Sequence, residues 1–119
     1  MGQLNGCIIA ESLTDPAVIN RLNVYRAFIS GPTQKTDDHG GTGRWHLYWV
    51  AGDRADIDAI QHLLKRGWYA HFWHDKQITV VYSDARFEIV ADDQSTWTDA
   101  VAHGRAHGIP DEQLDFLTI

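Results

Sequence analysis

The sequence predicts an α+β fold in which an antiparallel sheet carries two helices on one face. From Arg44 onward, the residue pattern runs strand, helix, hairpin strands, helix and a possible final strand. That order is close to the split βαβ arrangement of ferredoxin-like folds, and an additional strand–helix–strand unit precedes it. Because a length of 119 residues is typical of one domain, we expect residues 1–119 to form a single α+β domain.

The N-terminal unit is predicted from two apolar, β-branched segments that flank a helix start. Residues 6–13 (GCIIAESL) and 24–30 (VYRAFIS) have the composition of strands. Between them, Asp15 and Pro16 are residue types that cap and begin a helix. Residues 31–43 (GPTQKTDDHGGTG) are turn-forming or charged, so we expect a flexible loop there.

The next segment has the clearest patterning. Residues 44–51 (RWHLYWVA) are apolar or aromatic at both parities, which is typical of a central strand covered on two sides. Asp53 or Asp56 can cap the following helix, whose apolar stripe includes Ile57 and Ile60.

The C-terminal half adds three strands and a second helix. The strands are expected at residues 68–74, 77–82 and 86–90, the first two joined by a tight turn at Asp75 and Lys76. Ser95 is the expected N-cap of the second helix, and Gly108 is its expected end. Residues 114–119 (LDFLTI) are predicted to form a final edge strand or a docked tail.

Composition excludes several classes of function. A net charge of −6 argues against nucleic-acid binding, which needs clustered Lys and Arg side chains. No apolar run approaches the ~20 residues that span a bilayer, so we expect no membrane partner. The single cysteine, Cys7, can form neither an internal disulfide nor a thiolate metal site. We expect a cytoplasmic protein.

Four segments carry a resemblance to a known family. They are residues 4–13 (LNGCIIAESL), 67–73 (GWYAHFW), 93–97 (DQSTW) and 108–116 (GIPDEQLDF). Together they resemble a family of small uncharacterised bacterial and archaeal proteins, with residues 31–43 as the least similar part. That family has no established activity, cofactor or catalytic residue, so the resemblance implies nothing about function.

An aromatic and histidine-rich surface is the most informative functional feature. Alternation along residues 68–74 places Tyr69, His71 and Trp73 on one face, and His46 and Tyr48 share a parity on a strand that could lie beside it. Each of these side chains combines a ring with a polar group that can bind a ligand. We therefore predict a small-molecule site formed by these five residues.

Three other interpretations of the same residues stay open. In the first, His71 acts as the general base of a small enzyme, because imidazole titrates near neutral pH. In the second, the surface is the interface of a homodimeric structural or regulatory module, since Trp and Tyr are enriched at interfaces. In the third, the rings serve packing alone.

His103 and His107 are weak candidates for metal ligands, and we expect no cofactor. They are four residues apart on the predicted second helix, so both rings lie on one face. Helical metal sites use this spacing but need a third ligand, and no Glu follows the first histidine as it does in zinc proteases. The charged form of either ring would also suit a helix C-terminus without a metal.

Overall fold

The computed structural model describes residues 3–31 and 44–116. Within these ranges the chain forms six strands and two α-helices, joined by short 3₁₀ turns. The strands are β1 (Leu4–Ile9), β2 (Asn23–Ile29), β3 (His46–Gly52), β4 (Tyr69–His74), β5 (Gln77–Tyr82) and β6 (Arg86–Val90), and the helices are α1 (Arg54–Leu63) and α2 (Thr98–Ala106). The α+β class is thereby confirmed.

The six strands form one sheet in the order β2-β3-β1-β4-β5-β6, and every neighbouring pair is antiparallel. The N-terminal strand β1 therefore lies in the middle of the sheet. Since β3 and β4 are both antiparallel to β1, they run in the same direction with β1 between them, and α1 connects them. The N-terminal unit therefore contributes both a central strand, β1, and an edge strand, β2.

The two helices lie on opposite faces of the sheet, so the prediction that both cover one face is wrong. Helix α1 packs through Ile57 and Ile60 against a cluster that includes Phe72 of β4. Helix α2 packs through Ala100 against a second cluster that includes Val80 of β5. The central strands are apolar at both parities, so each face needs its own cover to remove these side chains from water.

Local capping chemistry explains where the helices begin. The Asp53 carboxylate accepts a hydrogen bond from the Asp56 amide, and the Asp56 carboxylate accepts one from the Asp53 amide. Both predicted candidates thus form one reciprocal capping box. The prediction of Ser95 as an N-cap is wrong, because Asp93 caps a 3₁₀ turn at Gln94–Trp97 and α2 begins after it, at Thr98.

The C-terminal segment docks onto the sheet. Helix α2 ends next to Gly108, which has φ +81°, a conformation that glycine adopts without strain. A 3₁₀ turn at Asp111–Gln113 follows, and the side chains of Leu114 and Phe116 are buried in the α2-side cluster. Residues 114–116 form no strand and pack through Leu114 and Phe116 onto the sheet.

Two sequence predictions fall partly or wholly beyond these ranges. Most of the expected flexible loop (residues 32–43) and the last three residues of the expected tail lie outside the described residues. In the part of the chain that the structure describes, no helix is long and apolar enough to cross a membrane.

Candidate functional site

A row of side chains crosses the sheet on the face opposite α1. Cys7 of β1 pairs with Trp49 of β3 on one side and with His71 of β4 on the other. Trp49 in turn pairs with Arg26 of β2. Cross-strand partners point to the same side of a sheet, so these four side chains share one surface.

This surface forms the floor of a cavity of about 450 Å³. The docked segment from Ile109 to Asp115 provides one wall. The aromatic lining residues are Phe28, Trp45, Trp49, Trp68 and Tyr69. The polar or ionisable lining residues are Cys7, Arg26, His71, Gln113 and Asp115. The cavity is therefore mainly apolar, with a few polar groups directed into it.

Aromatic packing fixes the wall beside β4. The His71 ring is stacked on Trp73 with centroids 5.3 Å apart, and Tyr69 lies 6.0 Å from it on the other side. The Tyr69 hydroxyl donates a hydrogen bond to the Gln113 carbonyl, which ties the docked segment to the sheet. The imidazole of His71 is thus held in one orientation, with only 7% of the residue exposed.

Charges on the two sides of the cavity act on Cys7. Burial raises the pKa of its thiol from 9.0 to about 11. Within this net increase burial is the largest effect, the Arg26 guanidinium lowers the pKa, and the Asp115 carboxylate raises it. The thiol is therefore protonated at neutral pH and is a poor nucleophile.

The Arg26 guanidinium lies over the Trp49 ring, 4.3 Å from the ring centroid. This cation–π contact positions a positive charge at the β2 side of the cavity. A stacked guanidinium keeps its N–H groups in the plane parallel to the ring, where they can bind a carboxylate or another anion.

The structure brings together only part of the predicted aromatic–histidine surface. Tyr69 and His71 line the cavity. Trp73 shares their face but is buried in the α2-side cluster, beneath the helix. His46 and Tyr48 lie on the other face of β3, since Leu47 and Trp49 are the β3 residues that line the cavity.

The position of β1 explains why His46 and Tyr48 were misassigned. The prediction took β3 as the direct neighbour of β4, whereas β1 separates the two strands. His46 has another role: its Nδ1 lies 2.6 Å from the Glu11 carboxylate, which also accepts a hydrogen bond from the His46 amide. This pair fastens the turn after β1 to the start of β3.

Sequence reasoning missed several lining residues that belong to strands it had identified. Trp45, Leu47 and Trp49 belong to the predicted strand that is apolar at both parities, and that pattern alone could not show which face meets His71. Trp68 was assigned to the opposite face from His71, yet it lines the same cavity because it precedes the first residue of β4. The alternation rule applies only within a strand.

His103 and His107 lie close together at the C-terminal end of α2, with ring centroids 4.5 Å apart. Asp84, in the turn between β5 and β6, approaches both of them. The His103 ring nitrogen beside Asp84 lowers the pKa of that carboxyl below its ordinary value. The third group that the sequence did not reveal is therefore present, and none of the three residues lines the cavity.

Comparison with known proteins gives no relative: no family model, no curated protein and no solved structure matches the chain. The family resemblance of the four sequence segments stays a prediction.

Proposed function

We propose that this domain binds a small, planar, mainly apolar molecule in the cavity on the α2 side of the sheet. The observation that carries the proposal is the cavity itself, with a volume of about 450 Å³ and aromatic walls. Small-molecule sites are typically concave, about 300–1,000 Å³ in volume, and lined by apolar side chains with a few polar groups.

The polar groups suggest a ligand with one anionic substituent. Arg26 supplies a positive charge at one side, where it covers the Trp49 ring, and the other aromatic walls of the cavity favour a flat ligand. The His71 imidazole and the Asp115 carboxylate lie toward the opposite side and can bind donors on the same ligand. An aromatic acid fits this distribution of charge.

The test uses 8-anilinonaphthalene-1-sulfonate, a fluorescent aromatic anion, titrated into the folded full-length chain. We expect saturable binding of one molecule per chain, and Arg26→Ala should weaken it because the guanidinium contacts the anion. Val24→Ala is the matched control, since Val24 lies on the same strand but pairs with Val50 of the opposite face. The proposed orientation of the ligand would be contradicted if both variants lost affinity for the probe equally, or if Arg26→Ala left the affinity unchanged.

Cys7 offers a second readout of the same site. It is the one cysteine of the chain and it lies in the cavity floor, so a bound molecule should shield it from iodoacetamide. We expect alkylation, followed by mass spectrometry, to slow as the probe saturates. If the probe binds without protecting Cys7, the ligand occupies another surface.

A homodimeric module is the second candidate, and strand β2 favours it. β2 is the outermost strand of the described sheet, and its apolar side chains Val24, Tyr25, Phe28 and Ile29 are 44–59% exposed. Exposed apolar edge strands are prone to pair with another chain. Light scattering should then report a dimer that Val24→Lys dissociates, and a monomer at all concentrations would exclude this candidate.

Two further expectations remain proposals. The proposal that His71 acts as a general base is supported by its place beside Cys7 at the cavity floor. Measuring whether the chain converts an identified ligand would test it. A ferredoxin-like relationship is supported by the split β3–α1–β4 unit around β1. An experimental structure of the full chain would show whether a further strand follows α2.

A further inference from the structure

Asp84, His103 and His107 form a cluster that is separate from the cavity. His103 lies in the last turn of α2, His107 follows as its C-cap, and Asp84 lies in the turn after β5. The spacing of four residues places both imidazoles on one side of the helix. The β5–β6 turn brings the carboxylate to the same place from a segment that is distant in sequence.

The donor atoms already lie near the separations that a metal ion requires. His103 Nε2 is 2.8 Å from Asp84 Oδ1, and His107 Nε2 is 3.4 Å from Asp84 Oδ2. All three ligand atoms lie within 4.8 Å of one another. Ligands about 2.1 Å from a tetrahedral Zn²⁺ are roughly 3.4 Å apart, so small side-chain rotations suffice.

The surrounding side chains hold the two rings in place. The Tyr82 ring packs 4.7 Å from His103 and 5.9 Å from His107, and its hydroxyl donates to the Ala100 carbonyl of the same helix. Phe87 contacts His103 from the other side, with centroids 5.3 Å apart. The imidazoles therefore lose little further conformational freedom on binding an ion.

His107 is the most buried of the three groups. Its side chain is 5% exposed, and its Nδ1 has no hydrogen-bond partner among the described residues. Nδ1 belongs to the other side of the ring, so an ion in the cluster would bind Nε2 and would leave Nδ1 as it is. The Nε2 atom, which faces Asp84 and His103, is the one directed at the cluster.

We propose that Asp84, His103 and His107 bind one divalent transition-metal ion, with Zn²⁺ as the favoured species. Two imidazoles and a carboxylate are a ligand set of zinc sites, in which solvent completes the coordination. The side chains of Asp84 and His103 are 51% and 25% exposed, so an ion can enter from solvent and keep a water ligand. The site is independent of the ligand cavity.

The experiment titrates ZnCl₂ into the metal-free full-length chain, without an affinity tag, by calorimetry at neutral pH. CoCl₂ serves as a spectroscopic substitute, because ligand-field bands in the visible region report nitrogen and oxygen coordination. We expect one ion per chain. Asp84→Asn and His103→Gln change side chains that are at least partly exposed. Each substitution should weaken zinc binding by at least about 10- to 100-fold.

The matched control is His74→Gln. His74 also lies beside a carboxylate, 3.5 Å from Asp75, but has no second histidine in that pair. We expect this variant to bind zinc as tightly as the unchanged chain. Absence of saturable binding by the unchanged chain, or full binding by both Asp84→Asn and His103→Gln, would overturn the proposal. His107→Gln is interpreted only if circular dichroism shows that it is folded.

Discussion

At Gly6, the absence of a side chain is what lets β1 lie beside β4. A Cβ added there would lie 2.4 Å from Cδ2 of Phe72 and 2.5 Å from its Cε2, which is far inside van der Waals contact. Phe72 is 1% exposed and belongs to the α1-side cluster, so its ring has little room to move. The ring covers the glycine and closes the gap in the sheet that a missing side chain leaves.

We therefore expect Gly6→Ala to lower the free energy of unfolding by about 1–3 kcal/mol, the usual cost of overpacking a core. Urea denaturation followed by circular dichroism measures it. Gly31→Ala is the control, since nothing lies within 4 Å of a Cβ added at that position. The control should change stability by less than about 0.5 kcal/mol. If Gly6→Ala leaves the free energy of unfolding unchanged, the Phe72 ring can move to accept the added methyl group.

A second residue-scale prediction concerns the reactivity of Cys7. Only the thiolate reacts with iodoacetamide, and the thiol pKa is raised to about 11. At pH 8 we expect alkylation of the folded chain to be about 100-fold slower than that of a thiol with the ordinary pKa. The rate should keep rising about tenfold per pH unit beyond pH 9. In 8 M urea the rate should level off near pH 9, and a similar plateau in the folded chain would contradict the prediction.

At the scale of elements, Gly104 sets the distance between α2 and the sheet. A Cβ added there would lie 2.6 Å from Leu114 Cδ2 and 2.8 Å from the Tyr82 hydroxyl. That hydroxyl is fixed by its hydrogen bond to the Ala100 carbonyl, 2.7 Å away. Helix and sheet would have to separate to accept even one methyl group.

Two opposing effects decide the outcome of Gly104→Ala. Alanine favours a helix over glycine by about 1 kcal/mol, whereas overpacking costs about 1–3 kcal/mol. We expect a net loss of about 1 kcal/mol in the free energy of unfolding, measured by urea denaturation. Ala102 is an exposed residue of the same helix. The reverse substitution Ala102→Gly is the matched control, because it reports the difference in helix propensity alone. A net gain in Gly104→Ala would show that α2 can shift without cost.

Most of these elements could be predicted from local sequence, and the misses have local reasons. Strands were identified where apolar residues alternate, because that pattern needs no knowledge of partners. The start of α2 was missed because Asp93 caps a 3₁₀ turn ahead of the helix, and α2 itself follows Trp97, which makes no side-chain cap hydrogen bond. On β3 the prediction placed His46 and Tyr48 beside His71, whereas the residues of the opposite parity, Leu47 and Trp49, line the cavity.

At the scale of the whole molecule, buried ionisable groups predict a loss of stability at alkaline pH. Burial raises the pKa values of Tyr69 and Tyr82 above their ordinary value of 10.0 and that of Cys7 to about 11. The unfolded chain releases these protons first, so the folded chain holds more protons above pH 9. The stabilisation is complete below about pH 9 and decreases as the pH rises through 11.

The measurement is the urea midpoint between pH 8 and pH 11, which we expect to fall steadily above pH 9. Tyr82→Phe removes one of the groups and should make the decline shallower, although it starts from a lower stability because the hydrogen bond to Ala100 is lost. A midpoint that stays constant over this range would contradict the assignment of these groups as buried and protonated.

Local sequence was enough to predict the α+β class, the strand composition of β1 to β6, the capping of α1 and the end of α2. These features depend on alternation, residue type and neighbours a few positions away, all of which are local. Tertiary structure decided that β1 separates β3 from β4, that the helices cover opposite faces, and that Trp49 rather than Tyr48 shares a surface with His71. It also brought Asp84 to His103 and His107. Strand order and register depend on which distant segments bury each other's apolar faces, and a local pattern that is apolar on both sides of a strand leaves that choice open.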